Sequence, residues 1–161
     1  TDNYNSGNKL LSLSEATAQS TSVAAIGVAA HECGHAVQDA KNYFPLKLRA
    51  AIVPVANIGS TLSFPLIMLG VIMSWNQTLI NVGILAFSLA LVFQLVTLPV
   101  EFDASRRALS ILREGNMLAE DELAAARKVL MAAALTYVAA ALATFLQLLR
   151  LVLLFGNRSR D

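Results

Sequence analysis

Three long stretches of this chain carry no Asp, Glu, Lys, Arg or His: Ala50 to Trp75, Asn76 to Val100, and Val129 to Leu149. Each exceeds the roughly 20 mostly apolar residues with which a helix crosses the hydrocarbon of a bilayer. The alternative, buried helices of a soluble core, fails on size. A chain of 161 residues is too small to cover three such helices on every side. Composition agrees: 56% of residues are hydrophobic and only 14% charged, where a soluble domain carries about 25% charged. The expected fold class is all-α and integral to the membrane, with about three transmembrane helices over 50–74, 78–100 and 129–150. The whole of 1–161 is expected to form one membrane-embedded domain.

The interruptions inside these stretches have local meanings. Pro54, Pro65, Gly59 and Gly70 fall in the first, where a kink is expected and not a break, because neighbouring groups can satisfy the freed carbonyls. The uncharged SWNQT at 74–78 reads as the turn of a membrane hairpin, with Trp75 as an interfacial anchor. Pro99 marks the exit from the second span, and Arg150 snorkels at the end of the third. Lys41, Lys47 and Arg49 precede the first span, and Arg106, Arg107, Arg113, Arg127 and Lys128 separate the second from the third, while the turn has no basic residue. The positive-inside tendency therefore places both basic segments in the cytoplasm and the turn outside. The terminal NRSRD then falls outside, against the sign of Arg158 and Arg160. A net charge of +1 gives no reason to expect nucleic acid. A single cysteine, Cys33, excludes an intrachain disulfide.

Outside the spans, KLLSLS at 9–14 alternates weakly, so at most a short edge strand is expected. Ser20, Thr21 and Ser22 can cap a helix running to about Asn42. EFDASRRALSILREG continues as a helix that Gly115 stops, and AEDELAAARKVL starts another with acids in its first turn, continuing into the third span.

The chemistry lies in AAHECGHAVQ, residues 29–38, which holds both histidines of the chain. His31 and His35, four apart, project from one face of a helix and can grip one metal ion. Glu32 stands about 100° round the helix, within reach of a water at the metal without ligating it. His-Glu-x-x-His in this setting is the pattern of a zincin-type active-site helix, with zinc as cofactor and Glu32 as catalytic base for hydrolysis of an amide. The small, apolar flanks let the helix be buried. They also offer no polar partners to a histidine pair without a metal. Cys33 lies about 200° from His31 and reads as a small packing residue. A catalytic zinc takes three protein ligands. The third is open among Asp39, Glu101, Asp103, Glu114, Glu120, Asp121 and Glu122, of which Glu101 and Asp103 stand out for following the second span directly. Arg106, Arg107 and Tyr137 are candidates to stabilise the oxyanion. Membrane-surface anchoring for the arginines and simple packing for Tyr137 are the competing readings. Thr136 reads as a helix-packing hydroxyl.

SVAAIGVAAHECGHAVQDA, FQLVTLPVEFDASRRAL and AAALTYVAA, in that order, closely resemble the YugP-like neutral zinc metallopeptidases, which are bacterial membrane proteins. The similarity runs over nearly the whole chain. Family members carry a further N-terminal membrane helix, so the resemblance implies the C-terminal two-thirds of a longer protein. They usually show Asp-His-Tyr-Asp-Pro where this chain has DNYNS at 2–6, and often Val at the position of Cys33. The layout is also similar to the HtpX and CAAX prenyl protease type of membrane peptidase, in which two spans separate the His-Glu-x-x-His helix from a Glu-x-x-Ala-Asp segment. EFDAS at 101–105 matches that segment. By that resemblance Glu101 is the third zinc ligand, making the site gluzincin-like. Ser105 stands where an acid orients a ligand histidine, and Asp103 takes over part of that role.

The expected function is a zinc-dependent metalloendopeptidase of the bacterial inner membrane. It is multi-pass, with its site facing the cytoplasm, and acts on polypeptide segments at the bilayer surface. Two other readings compete: a membrane protein that binds zinc without catalysis, and a metal transporter. Glu32 weighs against the first. The position of the charged candidates outside the spans weighs against the second.

Overall fold

The computed structural model describes residues 1–156, so the expectation for the terminal NRSRD lies outside the described residues. The chain begins with a small hairpin. Strand β1 (Asn3–Asn5) pairs antiparallel with β2 (Leu10–Ser12), with Asn3 opposite Ser12, Tyr4 opposite Leu11 and Asn5 opposite Leu10. The Asn5 side chain accepts from the Gly7 amide at 2.8 Å, a local bond that closes the turn. A strand was expected near residues 9–14, but not its partner. Three residues are too few to show a period of two.

Helix α1 (Glu15–Gln19) is capped by Ser14, and α2 (Val23–Ala40) by Ser22, whose hydroxyl accepts from the Ala25 amide at 3.1 Å. Helix α2 ends two residues before the expected Asn42. Asn42 itself takes a left-handed conformation, φ 56°, which Asn tolerates better than most residues. Helix α3 (Phe44–Ile72) runs unbroken through Pro54 and Pro65. It stops where Ser74 and Trp75 both turn left-handed and the Asn76 amide reaches back to the Gly70 carbonyl at 2.7 Å. Helix α4 (Gln77–Glu114) has 38 residues and continues through Pro99 without a break. At 1.5 Å per residue it is about 57 Å long, enough to cross a hydrocarbon layer of about 30 Å and go on. Gly115 follows it as expected, although Asn116, φ 51°, supplies the left-handed turn. Helix α5 (Glu120–Leu151) opens with Glu120, Asp121 and Glu122, and Glu122 accepts from the Ala119 amide at 2.9 Å as an N-terminal cap. A short π-helical segment, Val152–Gly156, follows. Among the described residues, α3, α4 and the run from α5 to Gly156 are long and apolar enough to cross a membrane.

The contacts divide the chain into two compact units. The first comprises residues 1–47 and 98–136. Its core is Ala30, Ala108, Leu112, Leu123 and Leu130, with Ile26, Leu109 and Leu118 against it. The second comprises 48–97 and 137–161. There α3 and α4 meet through small residues: a Cβ on Gly59 would lie 2.6 Å from the Ala86 carbonyl oxygen, and one on Gly83 2.7 Å from Ile67. The Ser63 hydroxyl donates to the Gly83 carbonyl at 2.8 Å across the same contact. Ile58, Leu85, Leu142 and Phe145 of this unit are exposed, the surface of helices meant for lipid.

Candidate metal centre

The site lies wholly within the first unit and begins with α2. Its inward face carries Gly27, Ala30, Gly34, His35 and Gln38, all buried. The small residues on this face let α4 approach. A Cβ on Gly34 would collide with the Ala104 carbonyl, so only glycine permits the crossing at this height. That crossing sets residues 101–105 of α4 against both histidines. His31 and His35 stand one turn apart, with ring centroids 4.7 Å from each other and planes at 85°.

The Glu101 carboxylate sits between them. One oxygen is 2.8 Å from His31 Nε2 and the other 3.5 Å from His35 Nε2. Ligand atoms of His31, His35 and Glu101 all lie within 4.8 Å of one another, and Glu101 is buried at 3% exposure. A burial this deep for a carboxylate demands a positive or metallic partner. Two imidazole nitrogens and a carboxylate oxygen suit zinc, and three such donors leave one coordination position open. The donor set therefore fits the metal.

The other nitrogen of each ring is held. Ser105 Oγ is 2.9 Å from His31 Nδ1, and Gln38 Oε1 is 2.9 Å from His35 Nδ1. The Gln38 amide nitrogen donates to the Val100 carbonyl at 2.8 Å and to Asp103 at 2.9 Å. With two acceptors at its nitrogen, the Gln38 oxygen must face His35. It accepts from Nδ1–H, leaving the Nε2 lone pair turned to the cluster. Asp103 is in turn clamped by Arg106 and by Arg107 Nε at 2.6 Å, and the Arg107 guanidinium lies 5.5 Å from the centre of the Tyr43 ring.

The surroundings set the charge states outside the spans. Burial raises the pKa of Glu32 above the ordinary range, against the opposing pull of His35 and His31. Burial works to lower the His35 pKa, but the bonds to Glu101 and Gln38 outweigh it and the net direction is upward. Glu32 itself makes no hydrogen bond among the described residues.

Of the residues singled out from sequence, the structure brings His31, His35, Glu101 and Ser105 into direct contact and connects Asp103 through Gln38. Asp39 is elsewhere: it binds Lys9 Nζ at 2.6 Å and accepts from the Tyr4 hydroxyl at 2.7 Å, tying the hairpin to the end of α2. Glu114, Glu120, Asp121 and Glu122 are exposed at helix ends. Arg106 and Arg107 are committed to Asp103. Tyr137 belongs to the second unit and is 40% exposed. Cys33, expected to pack, is exposed, because it lies on the opposite side of α2 from the histidines. Sequence reasoning missed Gln38 and Gly34. The signal for Gln38 was its spacing, three residues after His35, as a lone polar group on an otherwise small and apolar face.

Comparison with known proteins bears on the same residues. A family model described as "Putative neutral zinc metallopeptidase" matches residues 1–156. The chain is similar to "Putative membrane protease YugP" of Bacillus subtilis (strain 168), 46% identical over 157 residues, which are 98% of this chain and 69% of that protein. No solved structure matches the chain.

Proposed function

This chain belongs to the family of neutral zinc metallopeptidases, and on that premise we propose that it is a membrane-integrated zinc endopeptidase cutting polypeptide segments near the cytoplasmic face. The observation that carries the reading is the convergence of His31, His35 and Glu101, with ligand atoms within 4.8 Å of one another and a hydrogen-bond partner at Nδ1 of each ring. In this reading these three residues hold zinc. When bound, zinc acidifies a water and polarises the scissile carbonyl. The protein does the rest. Ser105 and Gln38 fix the ring orientations and keep both Nε2 lone pairs available. Asp103, held by Arg106 and Arg107, fixes Gln38.

Glu32 moves the proton. Its carboxylate takes one from the attacking water and delivers it to the departing amine nitrogen. Burial, which raises its pKa, favours its holding the proton between the two transfers. A zinc site without catalysis would have no use for a half-buried, unbonded carboxylate beside its ligands, and this favours the peptidase over the binding reading.

The test is zinc content and hydrolysis measured together on the full chain. Wild type should carry about one zinc, lost in His31→Ala and His35→Ala. Glu32→Gln should keep the metal while hydrolysis of an unfolded casein falls at least 100-fold, at the lower end of what a general base contributes. Activity retained in Glu32→Gln would refute the mechanism, and zinc retained in both histidine variants would refute the site.

A further inference from the structure

Helices α4 and α5 frame a groove of about 780 Å³ within the first unit, large enough for a headgroup and part of a chain. Arg106 and Arg113 on α4 and Arg127 on α5 supply its charge, and Phe102, Leu130 and Met131 its apolar wall. Arg106 is about 140° and Arg113 about 120° round α4 from Glu101. The arginines therefore leave α4 on another face from Glu101, while Ser105 and Asp103, which contact His31 and Gln38, line the groove where it borders the metal cluster.

Arg106 is matched by Asp103. Arg113 and Arg127 are exposed and make no hydrogen bond or ion pair among the described residues. Three arginines against the single carboxylate of Asp103 leave the lining net positive. Arg113 and Arg127 stand towards the ends of α4 and α5 that the 115–119 connection joins. The apolar wall is open: Phe102 is 36% and Met131 47% exposed, on helices long and apolar enough to cross a bilayer.

We propose that this groove binds an anionic glycerophospholipid, its phosphate between Arg113 and Arg127 and an acyl chain along Phe102, Leu130 and Met131. Guanidinium forks match phosphate oxygens, and the exposed wall gains by covering itself with hydrocarbon. An acidic peptide would satisfy the arginines and leave that wall wet. The proposal rests on placement in the membrane and not on the chemistry assigned to Glu32, so its outcome leaves the peptidase reading standing or falling by its own test.

The experiment titrates the full chain in neutral detergent with fluorescent phosphatidylglycerol, using phosphatidylcholine as the uncharged comparison. Phosphatidylglycerol should bind preferentially. The doubly substituted Arg113→Gln, Arg127→Gln protein should bind it about 30-fold more weakly, at about fivefold per basic residue near a charged surface. Lys128→Gln, adjacent but outside the groove, should bind it as wild type does. The isolated headgroup, glycerophosphoglycerol, should bind at least tenfold more weakly than the lipid, because it forfeits the apolar wall. Unchanged binding in the double variant, an equal loss in Lys128→Gln, headgroup binding as tight as the lipid, or displacement of the lipid by an acidic peptide would each overturn the proposal.

Discussion

Gln38 has no exposed surface and makes three hydrogen bonds, to His35 Nδ1 at 2.9 Å, the Val100 carbonyl at 2.8 Å and Asp103 at 2.9 Å. Gln38→Leu keeps its bulk and removes all three. Asp103 remains held by Arg106 and Arg107, and the Val100 carbonyl remains inside α4. The group left bare is the Nδ1–H of His35, a residue 8% exposed. A buried donor without a partner costs about 1–3 kcal/mol. The larger expected effect is on the metal: with its ring free to turn, His35 no longer presents Nε2 in one direction. Losing an orienting partner of a metal-bound histidine lowers affinity about 10- to 100-fold, or about 1.4–2.8 kcal/mol. Competition with a zinc chelator, run on the full chain in detergent, reads this directly. Thermal unfolding of the metal-free protein separates it from stability. Gln38→Glu is the discriminating companion, since it keeps an acceptor for His35 but sets a carboxylate against Asp103. It should lose stability more than zinc affinity. Zinc affinity within about twofold of wild type in Gln38→Leu, far below the range expected for such a partner, would refute the orienting role.

Three further outcomes follow from the same geometry. Glu101→Ala should cut zinc affinity more than Asp103→Ala, whose loss should stay within about 10- to 100-fold. The same chelator titration ranks them, and the reverse order would move the third ligand to Asp103. In a Cys33→Ala background, single cysteines at 74–78 should be labelled by a membrane-impermeant thiol reagent from outside and those in 101–128 only from the cytoplasm; the opposite pattern would invert the topology. Asp39 is held below the ordinary carboxylate range by Lys9 first and the Tyr4 hydroxyl next. A lowered pKa contributes stability that is complete above the unfolded value and disappears as pH falls through the folded one. Protection of the amides of residues 3–12, relative to their intrinsic exchange rates, should therefore fall on the acid side in wild type. In Asp39→Asn that protection should be low at every pH, and an unchanged protection profile in that variant would rule the contact out as the anchor of the hairpin.

What was legible in the amino-acid sequence was whatever depends on neighbours along the chain. A run without charge crosses a bilayer because of its own composition, and α3, α4 and α5 lie where those runs are. His31 and His35 share a face because a helix repeats every 3.6 residues, and Ser22 caps α2 through a bond that spans three residues. Pro99 was read as the point where the chain leaves the membrane, and α4 runs on through it as one helix to Glu114, in line with the helical reading of EFDASRRALSILREG. The surroundings of the two histidines were decided only in three dimensions. Glu101, Ser105 and Asp103 meet α2 across 65 to 74 residues of sequence, and nothing local separates Glu101 from Asp103, the other acid that follows the second span directly. That meeting depends on how closely two helices approach, and the approach is set by Gly34 having no side chain where the Ala104 carbonyl passes. What Gln38 and Gly34 do was not legible for the same reason. Each acts through what stands opposite it, and only the crossing of α2 with α4 puts anything there.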